Sequence, residues 1–423
     1  MSVNINKTSL KNELGLGESF APFLAKVDLE GVFKANSLTP GTDIYYFASN
    51  NAGMCYDPTN YNFYVILNDG TPANRKCIVL KLNANGEIVT SKYFTDRCYL
   101  VCVVANGGKL YAIENRGTEG ASAVDELNMT NLSIVENIVN LATDDYRYGQ
   151  AVSKVSDTVL CLVGRMYGGG DPGIYIKIDL PGKSYTRYTP GTGAVWNCLK
   201  YGSYVYADRY QQSQGNFKID LTDWSYSATG TPPITTYDCQ PIIRYGDKIL
   251  HGGGGAGAEP PAAQPAYWYD VTEGTWTELT TYSTNDKCPS LWGAIYFPKL
   301  KKAIFARGST RYGNAPASQW LFNLETEKWT NITHLFDGLY AEPDTLDYNW
   351  STTGTSTIKR LSGGGSMSPM TGGGECDDTE NFGMHPCGFW YEGMYRFLMM
   401  FDYRYYDEAE KTKPVLVFGT FKL

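Results

Sequence analysis

Arginine recurs at one kind of place in this chain of 423 residues. Arg116, Arg165, Arg209, Arg307 with Arg311, and Arg404 each come at or near the end of a short β-prone run, with Tyr167, Tyr210 and Tyr312 close by. A guanidinium fork grips a carboxylate at two points, and a phenol ring stacks on a sugar or a peptide. The chemistry of such a set is recognition of an acidic peptide or a glycan. The competing reading is that each Arg ties its own loop to a neighbouring carboxylate, because equivalent positions in a repeat also share structural jobs.

A second concentration of reactive side chains lies in SGGGSMSPMTGGGECDDTENFGMHPC. Glu375, Cys376, Asp377, Asp378, Glu380, His385 and Cys387 could attract a cation, but their spacing matches neither a zinc ribbon nor a calcium loop. The expectation is therefore no metal and a solvated acidic loop, held between glycine runs and mobile or ordered by a partner. A Cys376–Cys387 disulfide would need a compartment outside the cytosol. The histidines are His251, His334 and His385. His251 stands before four glycines, where a structural role is the default. No catalytic signature emerges, and we expect a non-enzymatic protein without a cofactor.

Composition narrows the class further. The formal net charge is -8, and no Lys/Arg run stands out, so a surface that tracks nucleic-acid phosphates is not expected. The longest apolar stretches, such as FLMMF and VLCLV, have strand length and cannot span a bilayer. The opening MSVNINKTSLKNELG lacks the apolar core of a secretory signal peptide, so the expected location is the cytoplasm, or a particle assembled there and released by lysis. Ten cysteines without a C-x-x-C pair read as small buried hydrophobes in a reducing compartment. The 33 Tyr and 45 Gly favour strands and turns.

The elements that must position these residues repeat. Strand-like runs end in Asp28, Asn83, Asn128, Asp179, Asp220, Asp270 and Asn323, at intervals of 55, 45, 51, 41, 50 and 53 residues. Ile134, Tyr185, Tyr226, Trp276 and Trp329 each follow six residues later. The Asp or Asn side chain can bond the backbone two residues on and start a turn. The bulky residue then opens the return strand and packs against a neighbour. Between these hairpins lie pairs of β-prone runs around short turns, among them AVSKVSDTVLCLV, NCLKYGSYVYA and PIIRYGDKILHGG. Each repeat is thus four strands, a to d. Such units bury their faces only when arranged in a ring. The prediction is an all-β fold, a single β-propeller of about seven four-stranded blades, with eight as the alternative. One blade is completed jointly by N- and C-terminal strands, with PVLVFGTF able to supply its strand c.

Residues 241–279 carry the clearest further pattern. Strand b ends in Gly252 and Gly253, a variable loop follows, then Tyr269–Asp270, then Trp276. This resembles kelch-type propellers, including the galactose-oxidase group. The resemblance implies the propeller architecture. It also raises carbohydrate-active chemistry as an alternative, an oxidase with His and Tyr ligands to copper or a sialidase-like hydrolase. The histidines here align with no such motif. A third alternative is an intracellular kelch adaptor that reads an acidic peptide through the Arg loops.

The expected organisation is a polar arm at residues 1–20, a propeller at 21–423, and a long Gly-rich insertion at 336–387 between blades 6 and 7. The function expected from these features is that of a structural or adhesion component of a virus particle, of the bacteriophage tail or capsid-decorating kind. Its partners would be other virion proteins, through the arm and the 336–387 loop, and a host surface glycan or receptor.

Overall fold

The structure is a computed structural model that describes residues 23–38, 53–68, 76–114, 122–142, 147–165, 173–191, 195–209, 216–230, 242–251, 266–279, 291–307, 318–332, 335, 346–349, 357–360, 363–368, 372–383, 386–405 and 412–422. These build a β-propeller of seven blades, each an antiparallel meander of four strands. Blades 1 to 6 occupy residues 54–94, 99–140, 147–188, 195–228, 242–278 and 291–331. Blade 7 takes strands a, b and c from Cys387–Tyr391, Met394–Tyr405 and Thr412–Lys422, and strand d from Phe23–Lys26. Among the described residues no helix is long and apolar enough to cross a membrane.

Burial follows position in the ring. Strand a of blade 2, Tyr99–Ala105, reads YLVCVVA and is buried at every residue, whereas strand d, Ile134–Asn140, is mostly exposed. Inner strands are covered by both neighbouring blades, so they cannot alternate polar and apolar; outer strands fan apart and meet water. The core is accordingly a set of apolar layers between neighbouring blades. The layer between blades 7 and 1 packs Phe63, Phe389, Leu416 and Phe418. That between blades 4 and 5 rests on Leu199, Tyr206, Ile249 and Tyr269.

The c–d turns behave as the residue types demand. Backbone N–H groups of Asn85, Thr130, Thr222, Thr272 and Glu325 donate to the side chains of Asn83, Asn128, Asp220, Asp270 and Asn323 at 2.8–3.0 Å. Asp179 accepts from the Gly182 N–H instead, at 3.2 Å. Four residues after the acid or amide the backbone turns left-handed, with Leu132, Lys183, Trp224, Gly274 and Glu327 all at positive φ. Blade 5 relieves this with Gly274, and blade 1 turns left-handed one residue earlier, at Gly86. Trp276 is half-buried, its indole N–H donating to the Thr229 carbonyl at 3.3 Å, so its contribution is smaller than that of a fully enclosed indole.

One expected hairpin is absent. Asp28 starts no c–d turn; it caps the helix Leu29–Ala35, accepting from the Gly31 N–H at 3.1 Å. The reason is closure. The C-terminal run supplies strand c of blade 7, so Phe23–Lys26 is the last strand of that blade, and the chain must then cross to blade 1. Leu29, Val32 and Phe33 of the helix cover the layer between blades 7 and 1. Arg396 locks the same junction, donating to the Ala84 carbonyl at 2.7 Å and Asn85 Oδ1 at 2.5 Å in the first c–d turn.

Candidate functional site

The a–b and c–d turns lie at one end of the ring and the b–c and d–a connections at the other. Arg165, Arg209 and Arg307 close the b strands of blades 3, 4 and 6, paired with Arg147, Val195 and Leu291 at the start of their a strands. Their backbones therefore stand at equivalent positions on the connection-rich end. Arg404 lies near the end of the long strand b of blade 7, opposite Thr412 and Ser366. There the sheet continues through Gly363–Ser368, Thr357–Arg360 and Leu346–Asn349. Arg116, Tyr167, Tyr210, Arg311 and Tyr312 lie outside the described residues, as do His334, His385 and the arm at 1–20.

The acidic segment takes a different place from the one expected. Gly372–Glu375 pairs in parallel with strand a of blade 6, Gly293 opposite Gly372 and Tyr296 opposite Glu375. Asn381–Gly383 pairs with strand a of blade 3, Ser153 opposite Asn381 and Ala151 opposite Gly383, and touches strand a of blade 1 through Met54. Between them the two short strands contact the innermost strand of every blade. The register gives the direction. The chain enters from the connection-rich end, runs down the axis, turns at 376–380 near the a–b turns, and returns. Residues 372–383 are thus a hairpin-like plug in the central channel and not a solvated loop.

Glycine makes the plug thin enough. A Cβ at Gly374 would overlap the Pro386 carbonyl, and one at Gly388 would come 2.6 Å from Cys376 Sγ. The Gly run reads as flexible in one dimension, yet here it serves close approach. Backbone bonds hold the tip: the Cys376 N–H donates to the Tyr296 carbonyl at 2.8 Å and the Asp377 N–H to the Gly388 carbonyl at 2.9 Å. Asn381 Oδ1 accepts from the Lys200 N–H at 2.6 Å and from Ser153 Oγ at 3.0 Å.

The tip is acidic and its surroundings are basic. Glu380 pairs with Lys200 Nζ at 2.6 Å, and Glu375 with Arg244 Nη2 at 3.4 Å. Burial pushes the Glu375 carboxyl up to about 7, against the pull of the Arg244 charge. Burial also raises Asp378, although it accepts from the Glu380 N–H at 2.7 Å and from Asn381 Nδ2 at 2.8 Å. Cys376 and Cys387 are buried free thiols, both pushed up by burial, which disfavours the reactive thiolate.

Lys200 and Arg244 were missed by reading the sequence for sites, although a signal was present. The runs AVSKVSD, NCLKYGS and PIIRYGD each carry a cation just before the a–b turn. Lys154, Lys200 and Arg244 hold the same position of strand a, opposite Leu160, Val205 and Ile249. Three successive blades thus place a base on the inner strand where the acidic tip arrives.

A second polar cluster sits at the connection-rich end of blade 2. Buried Asp125 accepts from Tyr99 Oη at 2.6 Å, Arg97 Nε at 2.9 Å and Asn137 Nδ2 at 2.8 Å. Three donors occupy this carboxylate, which ties the d–a connection to the blade. Among the described residues no group of His, Cys, Asp or Glu is arranged to hold a metal ion. A comparison with known protein families matched none of them, and a search of curated proteins likewise found no match.

Proposed function

We propose that this chain is a kelch-like propeller that works by binding, as a non-enzymatic structural or adhesion component of a virus particle of the bacteriophage tail or capsid-decorating kind. One observation carries the non-enzymatic part of this reading. The axial channel, the deepest concavity a propeller offers to a small substrate, is occupied by the chain's own residues 372–383, with the Glu375 and Glu380 carboxylates paired to cations. Recognition is then left to the connection-rich end, where Arg165, Arg209 and Arg307 recur at equivalent positions. Arg forks there suit the carboxylates of an acidic peptide or sugar, and the tyrosines of the same connections suit a sugar face. The arm at 1–20 and the part of the 336–387 insertion that precedes the plug are assigned to neighbouring virion proteins, in a particle assembled in the host cytoplasm.

Two measurements test this. Mass spectrometry of purified particles is expected to find the chain at a fixed ratio to the major structural protein; its absence would remove the virion reading. On a glycan array, Arg165→Ala with Arg209→Ala is expected to lower binding about tenfold or more with Tm unchanged, as for lost charge-assisted contacts. Turnover of a sialoside or oxidation of a sugar by the wild-type chain would replace binding by catalysis.

A further inference from the structure

The innermost strands of blades 1 and 2 bring two thiols together. Cys55 Sγ and Cys102 Sγ lie 3.2 Å apart, and both residues are buried. The approach is built into the backbone. A Cβ at Gly53 would overlap the Leu100 carbonyl and come 2.7 Å from Val101 Cα, so glycine lets strand a of blade 1 close on strand a of blade 2 just before the cysteines. Cys102 also lies 3.6 Å from the Tyr64 carbonyl on the strand next to Cys55. Cys161 and Cys198, in blades 3 and 4, are buried in another layer.

We propose that Cys55 and Cys102 form a site of oxidative modification, which takes a small-molecule disulfide as its oxidant and becomes a covalent bond between blades 1 and 2. One thiol loses its proton, and its sulfur attacks the reagent disulfide, forming a mixed disulfide and releasing one thiolate. The second cysteine, deprotonated in turn, attacks the protein sulfur of that mixed disulfide and releases the other thiolate. Two cysteines lose two electrons and two protons; the reagent gains both and leaves as two thiols. Burial pushes the Cys55 thiol up, so the intact ring holds little thiolate and reacts slowly. Loosening the junction of blades 1 and 2 opens the pair to reagent. The bond then closes a loop of the chain that spans both cysteines, which restricts the unfolded state.

The full-length protein is incubated with oxidised glutathione, with and without urea below the unfolding transition, then digested without reduction. The expected product is a peptide pair joined through Cys55 and Cys102, formed faster in urea, with a Tm several degrees higher that returns to its starting value on adding reductant. Cys161→Ser should keep both effects; Cys102→Ser, or Cys102→Ala if the serine variant fails to fold, should lose both. Cys387 is the informative competitor, since it is a third buried thiol near the pair, close enough to help push the Cys55 thiol up. A predominant link through Cys387, or peptides of Cys55 and Cys102 that stay unlinked, overturns the proposal.

Discussion

The c–d turns and the channel plug use the same residue types for opposite ends. In the turns, Asp or Asn bonds its own backbone, and the next blade repeats the arrangement with small changes. In the plug, Asp378 also bonds its own backbone, but Glu375 and Glu380 reach bases on other blades. Glycine divides in the same way. Gly274 supplies a left-handed turn with its Cβ direction nearly open, only Tyr269 Oη standing at 3.9 Å. Gly374 supplies no special dihedral; it supplies thinness between two packed chains. The recurring turns are scaffold, rebuilt blade by blade, whereas the plug contacts occur once and depend on the whole ring.

The largest expected effect breaks the plug. Gly374→Val forces a side chain into the Pro386 carbonyl and should cost ~3 kcal/mol or more, as overpacking of a filled core does. Hydrogen exchange should rise across 372–383 while the c–d turns stay protected. Equal loosening everywhere would show that the plug and ring are one cooperative unit.

A second pair of variants sharpens the contrast within the repeated turns. Gly86 and Gly274 both sit at positive φ, but a Cβ at Gly86 would strike the Phe418 ring across the closing junction. Gly86→Ala should cost about 2–3 kcal/mol and Gly274→Ala about 1 kcal/mol, measured by urea denaturation. Equal costs would mean that the blade 7–1 junction yields as easily as an open turn.

The last effect is electrostatic. Glu375 is raised from its ordinary 4.5 to about 7, so the folded chain binds that proton more tightly than the unfolded chain. Its contribution to stability is complete below the unfolded value and is lost as pH rises through the window up to about 7. Asp378 is shifted in the same direction. Melting temperature should therefore fall between about pH 5 and pH 8, and Glu375→Gln should flatten part of that slope. An unchanged slope would place the titrating groups elsewhere.

The turns at Asn83, Asn128, Asp179, Asp220, Asp270 and Asn323 were legible because each is closed by bonds within about five residues, and the same solution recurs at a near-constant interval. Asp28 shared their signature and did something else, because whether an Asp starts a hairpin or a helix depends on which strand lies beside it. The Arg positions of blades 3, 4 and 6 were legible as strand ends, since the repeat carries them. The bases that meet the plug were present in the a–b runs but had no visible partner, since Arg244 and Glu375, or Lys200 and Glu380, meet only after the ring has closed.

The sequence by itself determined the blade: its four strands, its Asx turns, and the count of repeats that makes a ring. These follow from local hydrogen bonding and from β-prone runs that cannot bury themselves alone. Sealing of the ring by strands from both ends was also legible; the tertiary structure decided that PVLVFGTF is strand c and Phe23–Lys26 strand d, and it alone placed residues 372–383 along the axis. Both depend on pairing across large separations, Gly372 with Gly293 and Gly383 with Ala151. No local propensity encodes such pairing. It exists because seven blades leave a channel of one particular width, and a glycine-rich segment is thin enough to fill it.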